Sequence, residues 1–487
     1  MSTTSAPALV AALESWVAAD PDDSAPSNRT DALIAALAAT PTLHSVWLTL
    51  AVVGLGLPTD PEVRSAHRVV ATKGAAPFLL DLVARTAAGP RHGRRVELLR
   101  APVIVDVRHT AETDLATGIQ RVARETVKRW AADHEVTLVT WTDDGHAMRH
   151  LLPAERATAL DAAPPVHGST RVVDKQIIVP LGGTYLLPEL AAESWRTERV
   201  AAMAAYAGLT SGVIGFDTVP LTTAETVGDG MPGAFARNLV AVANMDKVGA
   251  ISETAALEYR GWRRMLSASG IVGPEVENIL LAAEPGTSTP ADQREFAEMI
   301  GLGADPLVLV VGSHEPRKNH RAVLQAAELA WREGLKFQLV FVGGNSWNSL
   351  HFSDALKALK IAGRPVSSVS ALPDRLLWAG YRQSRFTIFT SINEGFGLPV
   401  AESLASGTPV LTSNYGSMLQ IAANGGALTV DPRDDYAILD GIRSMLVDDA
   451  LYARLNAEAA AYVVRPWDDY ASDLWDFFVE QPAVADR

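Results

Sequence analysis

Residues 306 to 413 contain three short apolar runs that alternate with loops and with stretches of helical periodicity. The runs are Pro306–Gly312, Phe337–Gly344 and Arg385–Ser391, and each has the length and composition of a buried strand. Strands that alternate with helices form βαβ units and a parallel sheet. Because ligands bind at the carboxyl edge of such sheets, we expect a functional site in the loops that follow these strands.

The loop after the third run carries two carboxylates at its ends, Glu394 and Glu402. Pro399 suits the first turn of a helix that starts beside the bend. Gly395 and Gly397 allow the backbone to approach a ligand, and the free amides of a helix start favour an anion. The segment therefore predicts a site for a polyhydroxylated, phosphate-bearing ligand. A structural alternative is that Glu402 only complements the helix dipole and that the glycines only form a tight turn.

The loop after the first run contains two adjacent basic residues, Arg317 and Lys318. Positive charges at the start of a helix oppose its dipole, so they are unfavourable for the helix itself. At the edge of a parallel sheet, they can instead neutralise a diphosphate. This loop predicts the anion-binding half of the site.

Together these segments resemble the carboxyl-terminal domain of a retaining glycosyltransferase of family 4, with its E-x7-E motif and its GT-B fold. The matching segments follow the expected order over roughly residues 305 to 435, and they are Arg317–Asn319, Gly343–Gly344, Glu394–Glu402 and Gly407–Ser413. The resemblance implies an α/β protein with two doubly wound, Rossmann-like domains that face each other across a cleft. An N-terminal α-helical appendage would be added to that fold.

The resemblance also assigns roles. Glu394 would hold hydroxyls of the donor sugar, and Glu402 would hold the ribose hydroxyls. The leaving diphosphate would be neutralised by Arg317, Lys318 and backbone amides, with neither a metal nor a cofactor. The product would keep the anomeric configuration of the donor, so no protein nucleophile is needed. The predicted donor-binding residues are Gly118, Arg317, Lys318, Glu394, Gly395, Phe396, Gly397, Leu398 and Glu402, and the predicted catalytic residues are Glu394, Lys318, Arg317 and Asp217.

A second alternation of strands and helices begins near Ala101 and predicts a second doubly wound sheet. Its first predicted strand, Pro102–Val107, is followed by an amphipathic helix that opens at Gly118. In the family, a glycine in this loop lets backbone amides approach the donor phosphates, and Gly118 is the matching position. A simple helix start capped by Thr117 explains the local sequence equally well.

Asp217 follows another predicted strand, Gly212–Phe216. Many members of the family carry a histidine and an aspartate near this point, on the acceptor side of the cleft. Phe216 takes the position of the histidine here, so a catalytic base at that position is in doubt. Asp217 either contacts the acceptor or caps the turn, and both interpretations remain open.

We divide the chain into four parts. Residues 1–95 form a helical appendage for docking or oligomerisation, with an exposed basic linker at Arg91–Arg95. Residues 96–285 form the acceptor-side domain, and residues 286–465 form the domain that binds the nucleotide sugar. Residues 466–487 form a last helix that crosses back to the first domain.

Composition limits the compartment and the partners. The chain has 487 residues, a formal net charge of −14 and no cysteine, which disfavours nonspecific nucleic-acid binding and excludes disulfides and thiolate metal sites. Its first residues lack the pattern of a signal peptide. The longest apolar stretch, Val46–Leu57, is too short to span a bilayer. We expect a cytoplasmic protein, either free or at the inner face of the cell membrane.

The predicted function is hexosyl transfer by a retaining, metal-independent enzyme. The donor would be GDP-mannose or a UDP- or dTDP-sugar, and the acceptor would be a glycan or lipid-linked glycan in surface polysaccharide synthesis. The alternative is a catalytically silent subunit that binds a nucleotide sugar within a polysaccharide assembly complex. Turnover of the donor distinguishes the two.

Overall fold

The computed structural model describes residues 7–18, 27–113, 118–164 and 175–481. In these ranges the α-helices are α1 Pro7–Val17, α2 Ser27–Ala39, α3 Leu43–Val53, α4 Asp60–Lys73, α5 Ala75–Ala87, α6 Arg108–Glu112, α7 Gly118–Asp133, α8 Pro153–Asp161, α9 Ser194–Tyr206, α10 Val219–Thr222, α11 Met231–Val242, α12 Glu253–Ala268, α13 Pro290–Ile300, α14 His320–Arg332, α15 Leu350–Ile361, α16 Asp374–Gln383, α17 Leu398–Ala405, α18 Gly416–Ala422, α19 Asp435–Val447, α20 Asp449–Ala460 and α21 Trp467–Trp475.

The strands are β1 Arg95–Arg100, β2 Val103–Asp106, β3 Thr137–Trp141, β4 Met148–His150, β5 Gln176–Leu181, β6 Thr184–Leu187, β7 Thr210–Gly215, β8 Lys247–Ala250, β9 Glu275–Asn278, β10 Leu307–Val311, β11 Gln338–Val342, β12 Val366–Val369, β13 Phe386–Phe389, β14 Val410–Ser413 and β15 Ala427–Val430. Short 3-10 turns lie at Ala224–Thr226 and Pro316–Lys318, and a π turn lies at Asp476–Glu480.

The N-terminal region consists of helices α1 to α5. Helix α3 contains most of the long apolar stretch of the sequence and buries Trp47, Leu48 and Val52 completely. The side chain of Thr42 caps its start by accepting a hydrogen bond from the backbone N–H of Ser45 at 3.1 Å. The buried side chains of this region are continuous with those beneath the first sheet. The five helices are therefore packed onto the adjacent domain through a shared core.

The first sheet has the strand order β1-β5-β4-β3-β2-β6-β7-β8-β9. Strand β4 is antiparallel to its neighbours, and the other pairs are parallel. Strand β1 was not predicted: the exposed basic linker was expected to end at Arg95, and the first strand was expected to begin at Pro102. The exposed linker is confirmed only in part: Arg95 is exposed but pairs with Gln176 in the sheet, and the guanidinium of Arg94 lies 3.0 Å from the carboxylate of Asp144.

The second sheet has the strand order β12-β11-β10-β13-β14-β15, and all of its pairs are parallel. Strands β10, β11 and β13 lie in the three apolar runs predicted as strands, Pro306–Gly312, Phe337–Gly344 and Arg385–Ser391. The side chains of β13 are buried along its whole length, as expected for a strand covered by helices on both faces. Two doubly wound sheets with an N-terminal helical region confirm the predicted fold class.

The end of the described chain lies against the first sheet. In helix α21, the backbone carbonyl of Ala471 accepts a hydrogen bond from Trp130 Nε1 at 2.9 Å. Lys247 Nζ, which is buried, donates to the carbonyl oxygen of Phe477 at 2.7 Å. The residue boundaries that we gave for the four parts of the chain stay predictions.

Within the described ranges, no helix is long and apolar enough to cross a bilayer. The same part of the chain holds no cluster of three or more histidine, aspartate or glutamate side chains suited to a metal ion.

Candidate active site

The loop between β13 and α17 has the shape that its sequence predicts. Gly397 has a φ of 102°, a conformation that L side chains rarely adopt, so the glycine is required there. Helix α17 begins at the next residue, with Pro399 in its first turn. The loop that starts at Glu394 therefore delivers the chain to a helix start at the carboxyl edge of the sheet.

The Glu394 carboxylate lies at the centre of a buried network. Its two oxygens accept from Lys318 Nζ and Arg317 Nη1, each at 2.6 Å, and Ser391 Oγ donates to it at 2.7 Å. Burial raises the pKa of this carboxyl, but Arg317 and Lys318 oppose burial and bring the pKa to about 2. Glu394 is therefore ionised at neutral pH and is a weak base.

The two cations lie on the 3-10 turn that follows β10. Arg317 also donates to the carbonyl oxygen of Asn393 at 2.7 Å and pairs with the buried Glu315 at 2.6 Å. Lys318 Nζ lies 5.0 Å from the ring centroid of Phe389. Burial lowers the pKa of Lys318, and Glu394 opposes that shift. The predicted sugar-binding carboxylate and the predicted phosphate-binding cations are thus brought together and paired with one another.

The first domain meets this loop at the end of β7. A β-carbon at Gly395 would lie 2.9 Å from Asp217 Cβ and closer still to the carbonyl oxygen of Phe216, so only glycine fits at this contact. Ser252 Oγ donates to the carbonyl oxygen of Gly395 at 2.5 Å. The two domains therefore touch directly beside Glu394.

Asp217 lies in that contact, half-buried. Its carboxylate accepts from the backbone N–H of Val219 at 3.1 Å, which is the turn-capping arrangement. Burial raises the pKa of Asp217 to about 6; Arg317 opposes the rise and Glu394 adds to it. The structure thus contains the hydrogen bond that the turn-capping interpretation predicts. Contact of Asp217 with an acceptor stays a prediction.

Glu402 bridges the two domains from helix α17. Its carboxylate accepts from Arg121 Nη1 at 2.5 Å and from Tyr381 Oη at 2.9 Å. Arg121 lies on α7 of the first domain, and its guanidinium carbon is 5.8 Å from the ring centroid of Trp378. Neither partner of Glu402 was predicted from the sequence. Arg121 could have been noticed because it lies one turn after Gly118, a predicted donor-binding residue. No sequence pattern pointed to Tyr381.

Gly118 is the first residue of α7 and faces the start of α17. A β-carbon at Gly118 would lie 3.4 Å from Leu398 Cδ1. The two residues predicted to supply amides to a donor phosphate are therefore opposite each other across the domain contact. The alternative cap at Thr117 lies outside the described residues.

The segment that leads toward Gly118 is anchored by a buried charge cluster. Glu189 accepts from the backbone N–H groups of His109 and Thr110 at 2.8 Å each, and it pairs with Arg196 at 2.7 Å. Arg196 also lies 2.8 Å from Asp106, and both side chains are fully buried. Burying these charges is tolerable because they are mutually paired. The cluster fixes the start of helix α6 beside the end of β2.

Two histidines flank the basic turn and belong to the interior. His314 and His320 are 4% and 3% exposed. Burial lowers the pKa of His320 to about 3, so its ring is neutral at physiological pH. These histidines pack beneath the turn and do not face the domain contact as charged groups.

Residues 292–462 match the family described as "Glycosyl transferases group 1". The chain is 28% identical over 347 residues to the "Serotype-specific mannosyltransferase WbdA" of Escherichia coli, over 68% of this chain and 39% of that protein. It is 31% identical over 241 residues to the "D-inositol 3-phosphate glycosyltransferase" of Acidothermus cellulolyticus, over 46% of this chain and 53% of that protein. The chain thus spans from about two fifths to half of the length of these relatives.

Solved structures with a similar fold include sucrose-phosphate synthase from Thermosynechococcus elongatus, with a TM-score of 0.55 and 15% identity over 78% of this chain and 98% of that one. HepE from Anabaena in complex with UDP-glucose has a TM-score of 0.56 and 11% identity over 77% of this chain and 98% of that one. At such identities the likeness concerns the fold. The chain therefore has the GT-B fold, and its second sheet lies within a segment that matches group 1 of the glycosyl transferases.

Proposed function

We propose that this protein is a retaining hexosyltransferase that moves a hexosyl unit from a nucleotide-diphosphate sugar to a glycan or lipid-linked glycan in surface polysaccharide synthesis. The observation that carries the proposal is the buried network of Glu394, Arg317 and Lys318 at the carboxyl edge of the second sheet. It lies in the domain that matches a glycosyltransferase family. A relative named as an O-antigen chain mannosyltransferase and another named as a serotype-specific mannosyltransferase support a role in polysaccharide synthesis.

The network suits a donor that carries both hydroxyls and a diphosphate. Lys318 has a flexible side chain held by Glu394 at 2.6 Å, so it can exchange that carboxylate for a phosphate oxygen. Arg317 is held in addition by Glu315 and Asn393, so it supplies a fixed positive charge. A preorganised charge such as that of Arg317 stabilises a leaving diphosphate without reorganisation. Glu394, freed from Lys318, can then accept from sugar hydroxyls.

The proposed stereochemistry and metal independence rest on the same charges. The low pKa of Glu394, about 2, makes it an acceptor of hydroxyl hydrogen bonds rather than a proton carrier. The departing phosphate oxygen then takes the proton of the attacking hydroxyl on the same face of the sugar. Asp217, with a pKa of about 6, is the better matched of the two carboxyls for exchanging a proton near neutral pH, on the acceptor side.

The first donor to test is GDP-mannose. The names of the E. coli relatives support a mannosyl donor, and HepE, whose structure is a complex with UDP-glucose, supports including UDP-sugars. The purified protein is incubated with each nucleotide sugar, with and without a lipid-linked glycan acceptor, and the released nucleoside diphosphate is measured. Release from one donor, together with retained anomeric configuration in the product, is the expected result.

Glu394→Ala and Lys318→Ala should each lower kcat/KM by about a hundredfold or more, since one such contact contributes ~3 kcal/mol to the transition state. Glu333→Ala is the matched control, because Glu333 forms an exposed ion pair with Arg443 at 2.8 Å outside the network. Near-normal turnover by both folded variants would contradict the assignment. Nucleotide binding with no release from any donor and acceptor would favour the silent subunit.

We also propose that the protein works at the cytoplasmic face of a membrane. Helix α12 and the loop after it combine three arginines, Arg260, Arg263 and Arg264, with Leu257 and Met265, which are 59% and 71% exposed. Exposed apolar groups among basic ones suit an anionic bilayer. Co-sedimentation with anionic vesicles should fall when Arg263 and Arg264 are changed to Glu, and equal sedimentation would contradict this surface. The use of residues 1–95 for docking or oligomerisation stays a prediction.

A further inference from the structure

A cavity lies between the N-terminal helices and the first sheet domain, and its residues are distant in sequence from the loops of the domain contact. Its volume is about 690 Å³, which is within the range of small-molecule sites. Helices α3, α4 and α5 supply most of the wall, and His146 and Arg199 reach it from the first sheet domain. None of the residues predicted to bind the donor lines it.

About half of the wall is apolar. The apolar lining includes Leu50, Leu57, Pro61, Val69, Phe78 and Leu82. A wall of this kind favours a hydrocarbon body, because each buried CH2 group contributes about 0.8 kcal/mol of transfer free energy.

Two guanidinium groups give the cavity a basic end. A β-carbon at Gly56 would lie 2.5 Å from Arg91 Nη1 and 3.5 Å from His146 Cβ, so Arg91 and His146 are neighbours. Burial and the charge of Arg199 lower the pKa of His146. Burial lowers the pKa of Arg199, and the charge of Arg91 adds to that shift. Two like charges meet at this end.

No direct ion pair neutralises either charge inside the described structure, although Glu62 favours the charged form of Arg199 through space. Neither Arg91 nor Arg199 forms an ion pair with any residue in the described ranges, and the Nε of Arg199, a residue that is 7% exposed, has no hydrogen-bond partner there. A buried donor without a partner is costly, so it points to a ligand or ordered solvent.

The two acidic residues of the cavity wall are already engaged. Glu62 accepts from Thr59 Oγ1 at 2.8 Å as part of a helix cap. The carboxylate of Asp81 pairs with Arg85 at 2.9 Å on the cavity wall. Arg91 and Arg199 therefore leave a positive excess, although the whole chain carries a net charge of −14.

We propose that this cavity binds an amphipathic anion, with a phosphate group between Arg91 and Arg199 and an alkyl or isoprenyl chain along the apolar wall. The site would give the N-terminal helices a function of their own, namely holding a phosphorylated lipid-like molecule. It is separate from the domain contact, and its test does not depend on transferase activity.

The test is calorimetric titration of the full chain with octyl phosphate, inorganic phosphate and 1-octanol. Octyl phosphate should bind at least about tenfold more tightly than either of the other two, because only it uses both the guanidinium pair and the apolar wall. Equal affinity for inorganic phosphate would overturn the amphipathic class, and no binding of octyl phosphate would overturn the site.

Variants locate the binding. Arg91→Gln and Arg199→Gln should each lower the affinity for octyl phosphate by about tenfold, since each removes one charge-assisted contact. Arg237→Gln, an exposed arginine on α11, is the matched control and should change nothing. Because Arg91 is only half-buried, its variant keeps the test interpretable if the Arg199 variant does not fold. Unchanged affinity in a folded Arg91→Gln would place the binding elsewhere and refute the proposal.

Discussion

At the scale of single residues, Asp217 shows how a carboxyl in the domain contact resists ionisation. Its pKa is about 6 in the folded protein against an ordinary value of 3.8. The folded state therefore holds the proton more tightly than the unfolded chain does. The stability that Asp217 contributes in its neutral form falls as the pH rises from about 4 to 6 and is gone above pH 6.

Asp217→Asn should consequently stabilise the protein at pH 8, by about 3 kcal/mol at most, because it removes the cost of holding the charge. The asparagine oxygen can still accept from the Val219 N–H, so the turn is kept. The measurement is the difference in Tm between the variant and the wild type at pH 8 and at pH 4.5. A difference that is the same at both pH values would contradict the raised pKa.

The site could be predicted from the sequence only within one domain. Glu394 and Lys318 follow strands β13 and β10, which are neighbours in the second sheet, so their convergence follows from the parallel topology. The ion pair of Arg121 with Glu402 joins residues 281 positions apart and depends on how two separately folded domains close. No local pattern encodes that geometry.

At the scale of elements, helices α7 and α17 hold each other through this same ion pair. The carboxylate of Glu402 is 6% exposed, and its Arg121 partner is 31% exposed. If Glu402 holds the ribose of the donor, as the family resemblance implies, the nucleotide must compete with Arg121 for it. The pair then acts as a contact that closes the domains before the donor binds.

Arg121→Gln should therefore tighten the binding of the nucleoside diphosphate that the donor screen identifies, by about threefold to tenfold for a competing contact of ~1 kcal/mol. The measurement is the Kd of that nucleotide by calorimetry, with Arg332→Gln, an exposed arginine paired with Glu328, as the control. A Kd that rises instead would show that Arg121 itself contacts the nucleotide.

The elements that the sequence analysis missed are short or atypical. Strand β6, Thr184–Leu187, is separated from the end of β5 by only two residues, so its pattern does not distinguish it from the preceding run. Strand β1 is rich in charge, RVELLR, because it is an edge strand of the first sheet, and edge strands carry charged side chains. Longer runs with uniform apolar character, such as β10, were recognised because burial on both faces leaves that signature.

At the scale of the whole molecule, the last described segment of the chain packs on the sheet of the first domain. Phe478 lies directly on the sheet, where β7 and β8 each carry a glycine. A β-carbon at Gly212 would lie 2.6 Å from Phe478 Cδ1, and one at Gly249 would lie 3.0 Å from Phe478 Cζ. The two glycines form a recess that the phenyl ring fills, and Trp130 packs edge-on against it at 6.3 Å.

Phe478→Ala should cost about 3–5 kcal/mol of stability, because it leaves a cavity that the sheet is too rigid to close. The control is Tyr436→Ala, an aromatic residue that is 70% exposed and should change little. Thermal unfolding is followed by calorimetry, and we expect the loss in the transition of the first domain. Since residues 467–481 follow the second domain in sequence but pack on the first, the variant should also separate the two transitions. A single transition at the wild-type Tm would mean that the terminal segment contributes nothing to the first domain.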